Sequence, residues 1–301
     1  MKKLLAVSLV ALFSFSAAQA QNDDKMIFNH LSVGITTGTP GLIGVDFATT
    51  CTPYLQIRAG ISIRPNIKYS TDIKMNGSDV TKFNNDIANI NSAIAANPGI
   101  GISPISGRVE NEYAIQGKLG WTNGKILFDF FPFTSKGFPL FITVGAYFGG
   151  SEIISVYNKD DGALQIVNKA NEVIDEYNSL VPASSQYNHI AAKVGTYDNL
   201  GPDAQGNVKF DVKVNGFKPY CGIGFGRPVP MTKRIGFQVE LGMLLWKTPS
   251  VIYHGTDDMG NTDFEIDRNK AGDKDVGKAF DVISKFSVWP CLTFRLCGKI
   301  L

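Results

Sequence analysis

The stretch YLQIRAGISIR, residues 54–64, alternates without a break. Leu55, Ile57, Ala59, Ile61 and Ile63 take one side, and Gln56, Arg58, Gly60, Ser62 and Arg64 take the other. A period of two belongs to a β-strand whose two faces meet different surroundings. The same pattern returns in HLSVGITTG (30–38), LIGVDFATT (42–50), LFITVGAYF (140–148), YCGIGFG (220–226), IGFQVELGML (235–244) and VWPCLTFRLCGKI (288–300). In a soluble sandwich the polar face would carry many scattered lysines. Here it is rich in glycine with a few isolated charges, which suits the narrow interior of a barrel whose apolar outside meets lipid.

The connections set the strand count. Short turns fall at 51–53, 134–138 and 228–233, and long stretches at about 66–110, 158–206 and 255–278, with a shorter one at 37–41. Short and long alternate strictly, as in membrane barrels with periplasmic turns and extracellular loops. The expectation is an all-β fold: an eight-stranded antiparallel transmembrane β-barrel with both termini in the periplasm. Asn123-Gly124 is a hairpin signal that would make nine strands. A bulge near Gly124 is preferred, because it keeps the alternation of turns and loops intact and accounts for the change of apolar parity from Ile115, Leu119 and Trp121 to Ile126, Phe128 and Phe130.

Two loops carry helical periodicity. Val80, Phe83, Ile87, Ile90 and Ile94 are spaced by three and four, as are Leu164, Val167, Ile174, Tyr177 and Val181. Each set predicts a short amphipathic helix in an extracellular loop.

The chain opens MKKLLAVSLVALFSFSAAQA, a positive start, an apolar run and a small-x-small end. This predicts a signal peptide over 1–20, cut between Ala20 and Gln21, and an exported barrel over 21–301. No later apolar run is long enough for a spanning helix. The formal charge of +2 gives no footing for nucleic acid.

TNGKILFDFFPF, FPLFITVGAYFGGSEIISVYNK, VNGFKPYCGIGFGRPVP and the terminal FRLCGKIL resemble a family of outer-membrane β-barrel proteins of Bacteroides-type bacteria. The resemblance runs over nearly all of the mature chain and implies fold and an outer-membrane location but little biochemistry. In outline the chain is similar to OmpA-type eight-stranded barrels, without a peptidoglycan-binding domain, since it ends on its last strand. It finishes Ile300-Leu301 where such barrels finish on an aromatic residue.

The inward charges expected from parity are Asp46, Arg58, Asp129, Glu240 and Arg295. Counting from the turn at Thr52, Asp46 and Arg58 should oppose each other. Arg58 is also the first partner to expect for Asp129, the one carboxylate in the apolar run KILFDFFPF. The expected outcome is a salt-bridged plug; the alternative is the charged constriction of a narrow pore or small-molecule channel.

A lipid-modifying enzyme is a remote third possibility. Of His30, His189 and His254, the last could pair with a serine such as Ser250, but the two share a parity only by count across Pro249, and no acid is evident to orient His254. Asp267, Asn269 and Gly272 fall at EF-hand spacings, but Ala271 and Lys278 occupy ligand positions. Cys291 and Cys297 lie about 20 Å apart on one strand, too far to bridge each other and wrongly spaced for zinc. Cys51, Cys221, Cys291 and Cys297 are expected as small apolar strand residues, with a bridge at Cys51 or Cys221 as the alternative. No cofactor, metal or catalytic residue is therefore expected. The expected partners are outer-membrane lipid and lipopolysaccharide, and an extracellular ligand at the loops, for a monomer whose role is structural or interactive.

Overall fold

The computed structural model describes residue 28 and residues 30–300, apart from 76, 134–136, 195, 232, 258–259, 261, 272–277, 279–280 and 284. The expected signal segment and its cut between Ala20 and Gln21 lie outside the described residues.

Eight antiparallel strands close on themselves. They are β1 (Leu31–Gly38), β2 (Ile43–Thr52), β3 (Leu55–Lys74), β4 (Glu112–Phe130), β5 (Leu140–Gly149), β10 (Phe217–Gly226), β11 (Ile235–Leu245) and β14 (Val288–Lys299). Each pairs with the next around the ring, and β14 returns to β1 with Gly34 opposite Cys297. Each strand exposes an apolar side chain outward: Ile35, Val45, Ile61, Phe128, Val144, Ile223, Leu241 and Leu292. A continuous apolar girdle of this kind needs a lipid surround. No described helix is long and apolar enough to cross a membrane.

Strands β3 and β4 hold 20 and 19 residues, about twice what a bilayer requires. Their outer halves rise above the barrel and carry its sheet on into a projecting extension that the sequence did not foretell. There β4 pairs with β6 (Glu152–Asn158), then β9 (Lys209–Lys213), β12 (Ser250–Thr256) and β13 (Thr262–Glu265). A separate small hairpin joins β7 (Ala192–Val194) to β8 (Tyr197–Leu200).

Helices α1 (Gly77–Ala96) and α2 (Gln165–Leu180) occupy the expected loops. The residues that α1 buries are the five of its stripe, Val80, Phe83, Ile87, Ile90 and Ile94. They share a core with Val167, Ala170, Ile174 and Tyr177 of α2 and with Ile102, Ile105 and Val109 of the intervening chain. A stripe that short needs such a tertiary partner to be stable. Asn84, Asn91, Asn171 and Asn178 bracket loop backbone with paired amide hydrogen bonds, which fixes the loops against the helices.

Two expectations need correction. The strand through Asn123-Gly124 is continuous, but it holds no bulge at Gly124: Trp121, Asn123, Lys125, Leu127 and Asp129 all face inward and alternate with outward Thr122, Ile126 and Phe128. The apparent parity change arises because Trp121 belongs inside. The extra residue lies instead on β3 at Pro65 and Asn66, where the pairing passes from Arg64–Trp121 to Ile67–Leu119. That bulge turns the outward face of β3 from Ile57, Ala59, Ile61 and Ile63 to Lys68, Ser70 and Asp72. Apolar gives way to polar, which marks the exit from the membrane.

Asp46 and Arg58 are also not opposed. Asp46 pairs across from Gly60 and Ala48 from Arg58, because Cys51 adds a residue to β2 between the Thr50–Gln56 and Thr52–Leu55 pairs.

Candidate functional site

Strand β4 and the residue that follows it pass through every layer of the lumen, in the order Phe131, Asp129, Leu127, Lys125, Asn123 and Trp121 from one end to the other. All six side chains are buried. At the Phe131 end the turn between β10 and β11 folds into the opening. Val229 is completely buried, and its amide donates to Gln56 Oε1 at 3.0 Å. The Pro228 carbonyl accepts from Ser32 Oγ at 2.6 Å and from Arg295 Nη1 at 2.7 Å. Arg227 lies 4.5 Å over the ring of Phe131, which packs on Phe141.

Above this turn sit all five charges picked from the sequence, together with one that was missed. Arg58 Nε donates to Asp129 Oδ2 at 2.6 Å, and Nη2 to Asp129 Oδ1 at 2.7 Å and Glu240 Oε2 at 2.6 Å. Thr143 Oγ1 donates to Asp129 and Tyr220 OH to Glu240, so the lone pairs of both carboxylates are largely used. Asp46 binds Arg295 Nε at 2.7 Å, and Lys125 Nζ stands 2.8 Å from its other oxygen. Lys125 is the missed member. It shares the inward parity of Asp129 four residues on, but stands beside the Asn-Gly pair that drew attention to a turn.

Three cations thus face three anions. Arg295 and Glu240, on adjacent strands, each pair elsewhere: Arg295 opposes Gln238, and Glu240 opposes Thr293. Gly34 makes room for the cluster, since a Cβ there would lie 2.4 Å from the Arg295 guanidinium carbon.

The next layer is Leu127, Tyr147, Tyr220, Leu244 and Cys291. A Cβ on Gly242 would meet the Tyr220 hydroxyl at 2.3 Å, so this glycine admits the phenol. Lys218 then donates to Asn123 Oδ1 at 2.9 Å and the Gly150 carbonyl at 2.7 Å. The outer end is closed by Trp121, Trp246 and Trp289, with ring centroids 5.3–6.3 Å apart. Arg64 stacks 4.5 Å over Trp121, and Trp246 Nε1 donates to the Phe286 carbonyl.

The projecting sheet has its own polar site. A cleft of about 700 Å³ is lined in part by Tyr157, Asp161, Asp203, Lys209, His254 and Asp263. His254 lies in this sheet on β12, outside the barrel. Its Nδ1 is 2.6 Å from Asp263 and its Nε2 is 2.7 Å from Asp211, so two carboxylates orient the ring where the sequence suggested none. Both nitrogens are engaged. Ser250 opposes Lys213 and sits four residues from His254 along the strand, about 13 Å away and out of reach.

Ser155 Oγ is within 2.6 Å of Asp211 and 2.7 Å of Glu152. Burial alone would raise the Asp211 pKa, but hydrogen bonds from Lys209, Ser155 and His254 outweigh it and hold the group below its ordinary value.

The remaining sequence candidates stay apart. His189 contacts Asp175 on the exposed surface at 2.7 Å. His30 precedes β1, where its carbonyl accepts from Thr49 Oγ1. Asp267 Oδ1 accepts from the Asn269 amide, closing a local turn, while Gly272 lies outside the described residues. Among the described residues no cluster of His, Cys, Asp or Glu could hold a metal. All four cysteines are free thiols, Cys291 and Cys297 inside the barrel wall.

No family model matches the chain, and no curated protein does. Three solved structures are similar in outline. CarO2 of Acinetobacter baumannii is 14% identical, with a TM-score of 0.42 over 92% of this chain and 100% of that one. CarO of the same organism is 15% identical, with a TM-score of 0.40 over 89% and 96%. A major outer membrane protein from Thermus thermophilus is 9% identical, with a TM-score of 0.34 over 90% and 99%. Likeness at this level carries no functional argument. The barrel assignment stands on the chain's own closed strand pairing.

Proposed function

We propose that the chain is a closed outer-membrane barrel that anchors a folded module at the cell surface, with a structural and interactive role and no catalytic one. The observation that carries this is the filled lumen. An eight-stranded barrel is just wide enough for side chains to fill, and here the turn at 227–230, the six-charge cluster, the tyrosine layer and the tryptophan layer succeed one another from end to end. A conducting path would have to break the buried ion pairs of this cluster, at several kcal/mol each. Lipid and lipopolysaccharide would surround the girdle of a monomeric barrel, while the helices and projecting sheet would meet the outside.

The signal-like start of the chain supports export, and His254, held by two carboxylates, has no nitrogen left to serve a nucleophile. The surface role is tested by treating intact cells with protease. Cleavage within 158–206, with the barrel left protected, is the expected result. Complete protection of that segment would overturn the orientation.

A further inference from the structure

In the projecting sheet the last strand on one side is the outer part of β3, residues 66–74. Strand β2 leaves it early, since its final pair is Ile43 with Ile63. Among the described residues nothing pairs with the free edge of 66–74, and all nine of these residues are exposed. An open edge of this length is about 30 Å of unpaired backbone donors and acceptors. The opposite edge is treated differently. Strand β13 is four residues long, its pairing with β12 is broken by a register shift, and Asp263 sits at φ 58°. Short, irregular edges of that kind resist pairing.

The side chains of the open edge fit a partner strand. One face shows Ile67, Tyr69 and Ile73, which are 53%, 73% and 41% exposed. The other carries Lys68, Ser70, Asp72 and Lys74. Lys68 stands directly across from Lys118 of β4, a like-charge pair that costs stability. Neither Lys68 nor Asp72 makes an ion pair among the described residues. A lysine on an edge resists added strands in general, and with Lys118 beside it Lys68 admits only a strand that brings a carboxylate to the next position.

We propose that this edge is a strand-addition site for an extended, acid-bearing segment of a partner polypeptide. The segment pairs antiparallel, sets apolar residues against Ile67 and Ile73, and places a carboxylate opposite Lys68. Main-chain hydrogen bonds supply the attraction and the alternate side chains the choice of partner. The proposal rests on the surface-display role above, because only a partner outside the cell would reach this edge.

A suitable probe is an extended nonapeptide unrelated to this chain, with isoleucine at its second and eighth positions and aspartate at its seventh. In antiparallel pairing, when its isoleucines oppose Ile67 and Ile73, its aspartate falls opposite Lys68. Anisotropy of the labelled peptide against the full chain in detergent micelles should show saturable binding. Lys68→Asp in the protein, or Lys in place of the peptide's aspartate, should weaken it about tenfold, and combining the two should restore it. Absent binding, binding indifferent to these charges, or loss without restoration would overturn the proposal. Self-association of the chain that needs no peptide but depends on Lys68 would also overturn it, assigning the edge to a second copy. Micelle binding is read whether or not the surface orientation holds, so its failure is separate from a failure of the protease test.

Discussion

Arg58 carries two carboxylates on one guanidinium, and removing it strands both Asp129 and Glu240 in the lumen. Arg58→Ala should therefore destabilise the folded barrel by about 3–5 kcal/mol, measured as the urea midpoint of the heat-modifiable gel band. An unchanged midpoint would mean that water already reaches the cluster. In the tryptophan layer the indole of Trp246 is completely buried, and Trp246→Ala should cost a similar amount, about 3–5 kcal/mol, by the same assay.

Much at this scale was legible from parity alone. Asp129 had to point inward once Ile126, Phe128 and Phe130 were given to lipid, and Arg58 was the nearest inward cation. The true register, with Gly60 across from Asp46 and Ala48 across from Arg58, was not legible, because the residue inserted at Cys51 leaves no mark in the alternation. Lys125 could have been found by counting back from Asp129 in twos.

Elements above the membrane depend on the bulge at Pro65 and Asn66. Deleting Asn66 would return Lys68, Ser70 and Asp72 to the apolar side of the projecting sheet and Ile67, Tyr69 and Ile73 to the polar side. Such a variant should still show the heat-modifiable barrel band but lose amide-exchange protection across β6 and β9. Retained protection there would show that the bulge is dispensable.

Acid should act on the same sheet through Asp211. Its folded pKa is held below the unfolded value of about 3.9, so the stability it contributes is present above that value and drains away as pH falls through the depressed one. Exchange protection in Lys209–Lys213 should drop in that acid window and not at neutral pH, and Asp211→Asn should abolish the step. A step at neutral pH would point to another group.

The helices were readable because their two five-residue stripes keep helical spacing over several turns. The projecting sheet was not, although VKFDVKV (208–214) sets Val208, Phe210, Val212 and Val214 against Lys209, Asp211 and Lys213. Short strands inside long connections carry the same alternation as barrel strands, and only their partners show that they pair outside the membrane.

For the whole molecule, the eight barrel strands, their antiparallel order and the short-long alternation of connections followed from successive amphipathic segments. What could not follow was the state of the lumen, which depends on which inward side chains meet across the barrel. Closure is the central claim, and planar-bilayer recording of the purified full chain tests it most directly. A flat baseline with no stable unitary steps is expected from the wild type. Reproducible single-channel conductance, altered by Arg58→Ala, would contradict it.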